Sequence, residues 1–191
     1  MLMDKPKILV FAGPNGSGKS TITKGHQVIG TYINADEIKK FRGCSDLEAA
    51  QEAELIREDM LNSLMSFTFE TVLSTERNIN LLKRAKEMGY YIESVFVLTV
   101  DANLNVERVK ARVLKGGHNV PVDKIRSRYT KSLHNLSQLS TISDICIVVD
   151  NTHLPEIIYK KDEDGEVYLC NEFWEESEIR DILLKSQEEL I

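Results

Sequence analysis

The chain has 191 residues, 42% hydrophobic and 28% charged, with a formal net charge of −6. That balance fits one α/β domain with a core large enough to need no covalent staples, and the absence of any apolar run of about 18 residues argues against a membrane span. Three widely spaced cysteines, Cys44, Cys146 and Cys170, argue against a disulfide framework or a zinc site and fit a reducing cytoplasm, as does a start, Met1 to Pro6, without the regions of a secretory signal.

Lys7–Ala12 is a continuous apolar run ended by glycine and reads as a fully buried first strand. Directly behind it, Gly13-Pro14-Asn15-Gly16-Ser17-Gly18-Lys19-Ser20 spells G-x-x-x-x-G-K-[ST]. Such glycines let backbone N–H groups turn inward around a nucleotide's phosphates, Lys19 can reach the β and γ oxygens, and the Ser20 hydroxyl can ligate Mg²⁺. From Ser20 and Thr21 to about His26 the chain can start a helix whose positive end points at the same phosphates. A strand before and a helix after are the context that separates a phosphate loop from a chance match, so the sequence predicts a site for ATP and Mg²⁺ over Gly13 to Thr21.

Thr31-Tyr32-Ile33-Asn34 reads as a short second strand leading into Ala35-Asp36. In an open α/β sheet, ligands bind outside the carboxyl ends of the strands. Asp36 there can take a proton from a hydroxyl attacking the γ-phosphate, or it can cap the turn Glu37-Ile38-Lys39-Lys40; position alone weighs the two equally. Ser45 and Glu48 form a capping box opening a helix to about Met65, with Leu47, Ala50, Leu55, Leu61 and Leu64 as its apolar positions. A third strand falls within Ser66–Ser74. Glu70 at its end is flanked by Phe69 and Val72, where a carboxylate is costly to bury unless paired; it either orders Mg²⁺ or a substrate hydroxyl, or is an exposed strand end.

Glu76–Met88 is helical and stops at Gly89, Tyr90–Val100 carries the strongest β signal, and Ala102–Lys115 is helical until Gly116-Gly117. A second basic helix spans Val122 to Leu139. Between Arg108 and Lys131 eight Lys/Arg face one acidic residue, whereas Asp162–Ile191 has eleven Asp/Glu against two basic residues. An acidic protein with such a basic segment uses it on a local anion, and a small phosphorylated ligand fits better than nucleic acid. Arg108, Arg112 and Lys115 share one helical face, while Val106, Val109 and Val113 form another. In the next helix Ile125, Tyr129, Leu133 and Leu136 make the apolar stripe, with Arg126 and Arg128 on opposite sides of it. Arg128 is taken as the inward member and Arg126 as a substrate contact. The segment reads as a lid hinged at Gly116-Gly117 that closes arginines over a transferring phosphoryl group; His118 is given no role.

Ile142–Val149 is the last core strand. Ile157–Lys161 and Glu166–Cys170 flank Asp162-Glu163-Asp164-Gly165 as a hairpin, and a final helix runs from about Glu175 to Leu190. Strands alternating with helices predict a P-loop-type three-layer α/β fold, a mostly parallel sheet with helices on both faces. Residues 1–151 are its core, with the lid about 108–131, and 152–191 a hairpin–helix appendage.

Taken in order, Phe11–Thr21, Tyr32–Glu37, Phe69–Ser74 and Arg112–Pro121 running into Arg128-Tyr129 resemble the zeta-toxin family of P-loop kinases, over roughly Lys5 to Asn151, and the compact chain is closer to its short branch. The resemblance implies phosphorylation of a hydroxyl on a UDP-activated amino sugar and control by a small helical antitoxin. It implies Asp36 as base and Lys19 as γ-phosphate clamp. Ser20 would hold Mg²⁺, Glu70 and the adjoining Thr71 would contact substrate, and Arg112 and Arg128 would stabilise the transferring group. A nucleotide or antibiotic kinase, and a nucleotide-binding switch of low turnover, are the alternatives.

Overall fold

The computed structural model describes residues 5–184. Five strands pair in parallel: β1 (Lys7–Ala12), β2 (Thr31–Ile33), β3 (Phe67–Thr71), β4 (Tyr91–Leu98) and β5 (Ile145–Asp150). Two more, β6 (Glu156–Asp162) and β7 (Gly165–Tyr168), continue the same sheet antiparallel, giving the order β2-β3-β1-β4-β5-β6-β7. The hairpin is thus hydrogen-bonded to the parallel strands through β5. Its turn is set by the Asp162 carboxylate accepting from Asp164 N–H and by Gly165 at φ 126°.

Strand alternation makes β1 a two-sided core element. Ile8, Val10 and Ala12 point into the larger cluster with Phe67, Phe69, Ile92 and Phe96; Leu9 and Phe11 point into a second one with Val95, Val97 and Val149. The larger cluster is roofed by α3 (Asp46–Asn62), α4 (Arg77–Glu87), α7 (Leu136–Ile142) and α8 (Glu176–Leu184). The second is covered from α1 (Lys19–Lys24) by Ile22. The three-layer α/β fold expected from the alternating elements is therefore present. Burying each of these large side chains contributes about 1.5–3 kcal/mol. From β1 the chain crosses to one side of the sheet and from β3 to the other, and such a reversal opens a crevice at the carboxyl ends of the strands.

Four local readings change. First, α2 (Ala35–Arg42) is a full helix capped by Asn34, whose side chain accepts from Asp36 N–H at 2.8 Å, so Asp36 belongs to its first turn and is not its cap. Second, the capping box of Ser45 and Glu48 is formed, yet α3 buries Ala49, Ala53, Arg57 and Leu61 while Leu47, Leu55 and Leu64 are exposed. The helix turns its small residues to the sheet, and Arg57 lies over the Phe69 ring at 5.3 Å. Third, the basic helix is divided into α6 (Val122–His134) and α7 at Asn135, and α7 extends to Ile142, so β5 starts later than expected. Asn135 is buried and donates from Nδ2 to Leu73 O at 2.9 Å, holding a residue with left-handed backbone (φ 56°) just past the end of β3. Fourth, the final helix is described as far as Leu184, and the expected stretch to Leu190 lies outside the described residues. None of the described helices is long and apolar enough to cross a membrane.

Asn135→Ala leaves the Leu73 carbonyl without this donor in a dry setting, which costs about 1–3 kcal/mol. Urea unfolding should show that loss with an unchanged m-value; a loss below a few tenths of a kcal/mol would show that the carbonyl is satisfied without Asn135.

Candidate active site

The glycine loop after β1 is built from close backbone approaches. Gly13, Gly16 and Gly18 have φ of 137°, 82° and 92°, and Cβ atoms there would collide with Val97 O, with the Asn105 backbone and with Asn151 Nδ2 respectively. Asn151, directly after β5, also donates from Nδ2 to Ser17 O at 2.7 Å and so fastens the loop from below. Gly13, Pro14 and Ser17 form the frame of the loop; Ser17 is fully buried.

In front of the loop a cleft of about 550 Å³ opens, within the range of small-molecule sites. It is lined by Asn15, Gly16, Gly18, Lys19, Ser20 and Thr21 from the loop and α1, by Asp36 from α2 and by Glu70 and Thr71 from β3. Arg112 from α5 (Ala102–Leu114) and Arg128 from α6 complete the expected set. Residues far apart in sequence thus converge on one space. Arg126 does not join them: its guanidinium donates to Asn103 Oδ1 at 3.0 Å on the outer side. Thr71 reaches the cleft, but its hydroxyl oxygen accepts from Leu73 N–H and Asn78 Nδ2, at 2.9 and 2.7 Å, and so braces the end of β3.

Lys19 Nζ donates to Gly13 O at 2.6 Å and Pro14 O at 2.9 Å. Burial is the main cause that lowers its pKa to about 8; the Arg112 charge lowers it further, while the Glu70 and Asp36 carboxylates oppose the shift. Ser20 Oγ donates to Glu70 Oε2 at 3.0 Å, and Tyr32 Oη donates to Glu70 Oε1 at 2.6 Å. Burial first, and this hydrogen bond second, push the Tyr32 phenol well above its ordinary pKa. From α6, Arg128 Nη1 donates to Asn15 Oδ1 at 3.2 Å, tying that helix to the glycine loop. Arg112 Nη2 donates to His118 O at 2.8 Å, so its position follows the Gly116-Gly117 turn.

Several lining residues carried no assigned role from sequence. Arg108 lines the cleft and donates from Nη2 to Thr152 O at 2.9 Å; its placement one turn before Arg112 was the available signal. His118 also lines the cleft and approaches the Asp46 carboxylate of α3 at 3.7 Å, linking the α5–α6 connection to α3. Asn34 was readable as a cap, two residues before Asp36. Carboxylates of Asp36, Asp46 and Glu70 and cations of Lys19, Arg108, Arg112 and Arg128 therefore share the cleft.

A mostly parallel sheet with this strand order, a glycine loop ending in Lys-Ser at the edge of a charged cleft, and arginines delivered from α5 and α6 define a nucleotide-dependent P-loop kinase. The chain belongs to the zeta toxin family, whose family model matches residues 3–172. An uncharacterized protein of Haemophilus influenzae is 30% identical over 129 residues, covering 64% of this chain and 92% of that protein. Among solved structures, the crystal structure of AvrRxo1-ORF1:-ORF2 with ATP matches with a TM-score of 0.69 at 16% identity, over 98% of this chain and 66% of that one. A chain of the PezAT chromosomal toxin–antitoxin system of Streptococcus pneumoniae matches with a TM-score of 0.57 at 16% identity, over 98% and 86%. At such identities the two structures speak for the fold.

The Lys19 shift gives a pH dependence with a defined sign. Phosphate binds the ammonium form, so ADP affinity measured without divalent metal should hold steady from about pH 7 to 8. Above about 8 the free protein loses that proton, and affinity should fall toward tenfold per pH unit, with proton uptake on binding. Calorimetric titrations in buffers of different ionisation enthalpy read both effects; constant affinity up to pH 9.5 without proton uptake would show that Lys19 keeps an ordinary pKa.

Proposed function

We propose that this protein transfers the γ-phosphoryl group of ATP to a hydroxyl of a small molecule, a UDP-N-acetyl amino sugar by family membership, with Mg²⁺ as cofactor. The observation that supports it is the convergence of Lys19, Ser20, Asp36, Glu70, Arg112 and Arg128 on one cleft. Lys19 and the loop N–H groups hold the donor phosphates. The acceptor hydroxyl attacks the γ-phosphorus and loses its proton to the Asp36 carboxylate; the new O–P bond replaces the bond to the β–γ bridging oxygen, and ADP departs. Arg112 and Arg128 offset charge on the transferring group and the leaving oxygen.

The residues present fit a magnesium site. Ser20 Oγ and the Glu70 carboxylate are hard oxygen donors 3.0 Å apart at the mouth of the loop. Among the described residues no cluster of three or more His, Cys, Asp or Glu could cage a metal alone, which suits an ion held chiefly by substrate phosphates and water. When bound, the ion neutralises charge on the β and γ oxygens. A switch of low turnover has no need of a carboxylate facing the phosphate end or of lid arginines, so the kinase reading is preferred over it.

A small helical antitoxin is the proposed protein partner. Its support is family membership, together with the toxin–antitoxin system to which the pneumococcal fold relative belongs. The reducing cytoplasm remains the proposed compartment, on the three free cysteines.

With UDP-N-acetylglucosamine as acceptor, ADP release should exceed the rate without acceptor. Asp36→Asn should lower kcat by about 10²–10⁴-fold with the KM for ATP within about twofold, and Lys19→Ala should abolish transfer. Transfer at the wild-type rate in Asp36→Asn would remove the base assignment. Stimulation by nucleosides or aminoglycosides in place of the UDP-sugar would overturn the acceptor and leave the kinase class standing.

A further inference from the structure

Through the lining residues Asn34, Glu70 and Ser20, by way of Tyr32, runs a chain of hydrogen bonds that the reaction scheme above does not use. Asn34 Nδ2 donates to Tyr32 Oη at 2.9 Å, Tyr32 Oη donates to Glu70 Oε1 at 2.6 Å, and Ser20 Oγ donates to Glu70 Oε2 at 3.0 Å. The other end of the Asn34 amide, Oδ1, accepts from Asp36 N–H at 2.8 Å and caps α2. One continuous path therefore joins the residue proposed as base to the two residues proposed to face the metal.

The path follows from the sheet register. Tyr32 of β2 pairs with Thr68 of β3, and Glu70 lies two residues further on the same face of β3. A diagonal neighbour at that separation is within reach of an aromatic side chain, and tyrosine adds a hydroxyl at the far end of the ring. A phenylalanine would fill the same space without reaching the carboxylate. The donor directions are also defined. An amide N–H can only donate, so the Asn34 Nδ2 bond makes the Tyr32 oxygen an acceptor there and leaves its O–H for Glu70. Both Glu70 oxygens are then fixed by hydroxyl donors, and Ser20, with its proton directed at Glu70, turns its lone pairs elsewhere.

We infer that Tyr32 and Asn34 are positioning residues: they fix the Glu70 carboxylate, and through it the Ser20 hydroxyl, in the orientation that receives a divalent cation beside a nucleotide's phosphates. The inference rests on the proposed nucleotide and magnesium reading, since it concerns how that site is held. The same Asn34 sets the first turn of α2, so the orientation of the metal side and the placement of Asp36 share one side chain. Outer partners of this kind act on a metal site without touching it, and their loss typically weakens it 10- to 100-fold.

The test measures binding, so it needs no acceptor. A fluorescent N-methylanthraniloyl ATP is titrated onto the full chain at increasing Mg²⁺, and the Mg²⁺ concentration giving half of the affinity gain is read for each variant. Glu70→Gln should raise that concentration strongly; Tyr32→Phe should raise it about tenfold, with its own affinity in EDTA and its Tm both close to wild type. Asn34→Ser keeps a capping oxygen for α2 but removes the Nδ2 donor, and should move the Mg²⁺ requirement the same way by a smaller factor. A purely structural role for Tyr32 would lower Tm and leave the Mg²⁺ requirement unmoved. The inference is overturned if Tyr32→Phe stays within twofold of wild type while Glu70→Gln shifts, or if neither shifts. Failure of the wild type to bind the nucleotide at any Mg²⁺ concentration would instead overturn the nucleotide reading on which it rests.

Discussion

The glycine loop can hold its shape because three unrelated parts of the chain press against it where no side chain intervenes. Val97 O of β4, the backbone of Asn105 in α5 and the amide of Asn151 after β5 occupy the space that side chains at Gly13, Gly16 and Gly18 would need. Three glycines with positive φ have little conformational preference of their own, so the geometry of the loop is borrowed from these neighbours. Three charged members of the cleft are placed directly against that loop. Glu70 meets it through Ser20, Arg128 through Asn15, and the Lys19 ammonium is drawn toward its carbonyls. Position in this site descends from the central strands outward.

The segment that carries Arg112 and Arg128 is organised on a different footing. Val106, Val109, Val120 and Ile125 form a small cluster of their own, separate from the two clusters that flank the sheet, with Val113 packed against it. The Gly116-Gly117 turn lies within this unit, and a side chain at Gly117 would strike Arg112. The arginine is thereby fitted to its own loop and, through His118 O, to the backbone that crosses the mouth of the cleft. The same unit is tied to the sheet by Leu133, packed on the larger cluster, by Tyr129 Oη, which donates to Thr99 O at 2.5 Å, and by Arg108, which donates to Thr152 O at 2.9 Å.

What the sequence discloses and what it withholds divide along physical lines. β1, the glycine loop and the Ser45–Glu48 capping box are written in neighbouring residues, and local chemistry suffices to read them. The inward face of α3 was misleading because Leu47 and Leu55 point outward, while two alanines and a guanidinium over an aromatic ring join Leu61 in facing the sheet. The boundary at Asn135 was hidden because its backbone (φ −79°, ψ −7°) is nearly helical; what distinguishes the residue is a bond to Leu73, far away in sequence. Tyr32 was hidden for a related reason. Its hydroxyl acquires a meaning only once β2 is set against β3 in register. Helical geometry already put Arg126 and Arg128 on opposite sides of their helix, with Arg128 inward; that Arg126 turns to Asn103 and not to the cleft shows only once α6 is docked.

The wall opposite the glycine loop has an economy of its own. Asn34, Asp36, Asp46, Ala49, Ala50, Glu70 and Val72 all lie between the start of β2 and the residue after β3. The phosphate-loop wall and the lid lie wholly outside that stretch, before and after it. One uninterrupted segment, running from the edge strand β2 to β3 beside β1, thus makes up an entire side of the cleft. Changes gathered within that cassette can reshape what faces the phosphates, by altering two small alanines or the short connection between α2 and α3, while the strands that hold the loop stay as they are. Divergence of ligand preference within such a fold needs no redesign of its centre, only the exchange of one contiguous piece at the sheet's edge.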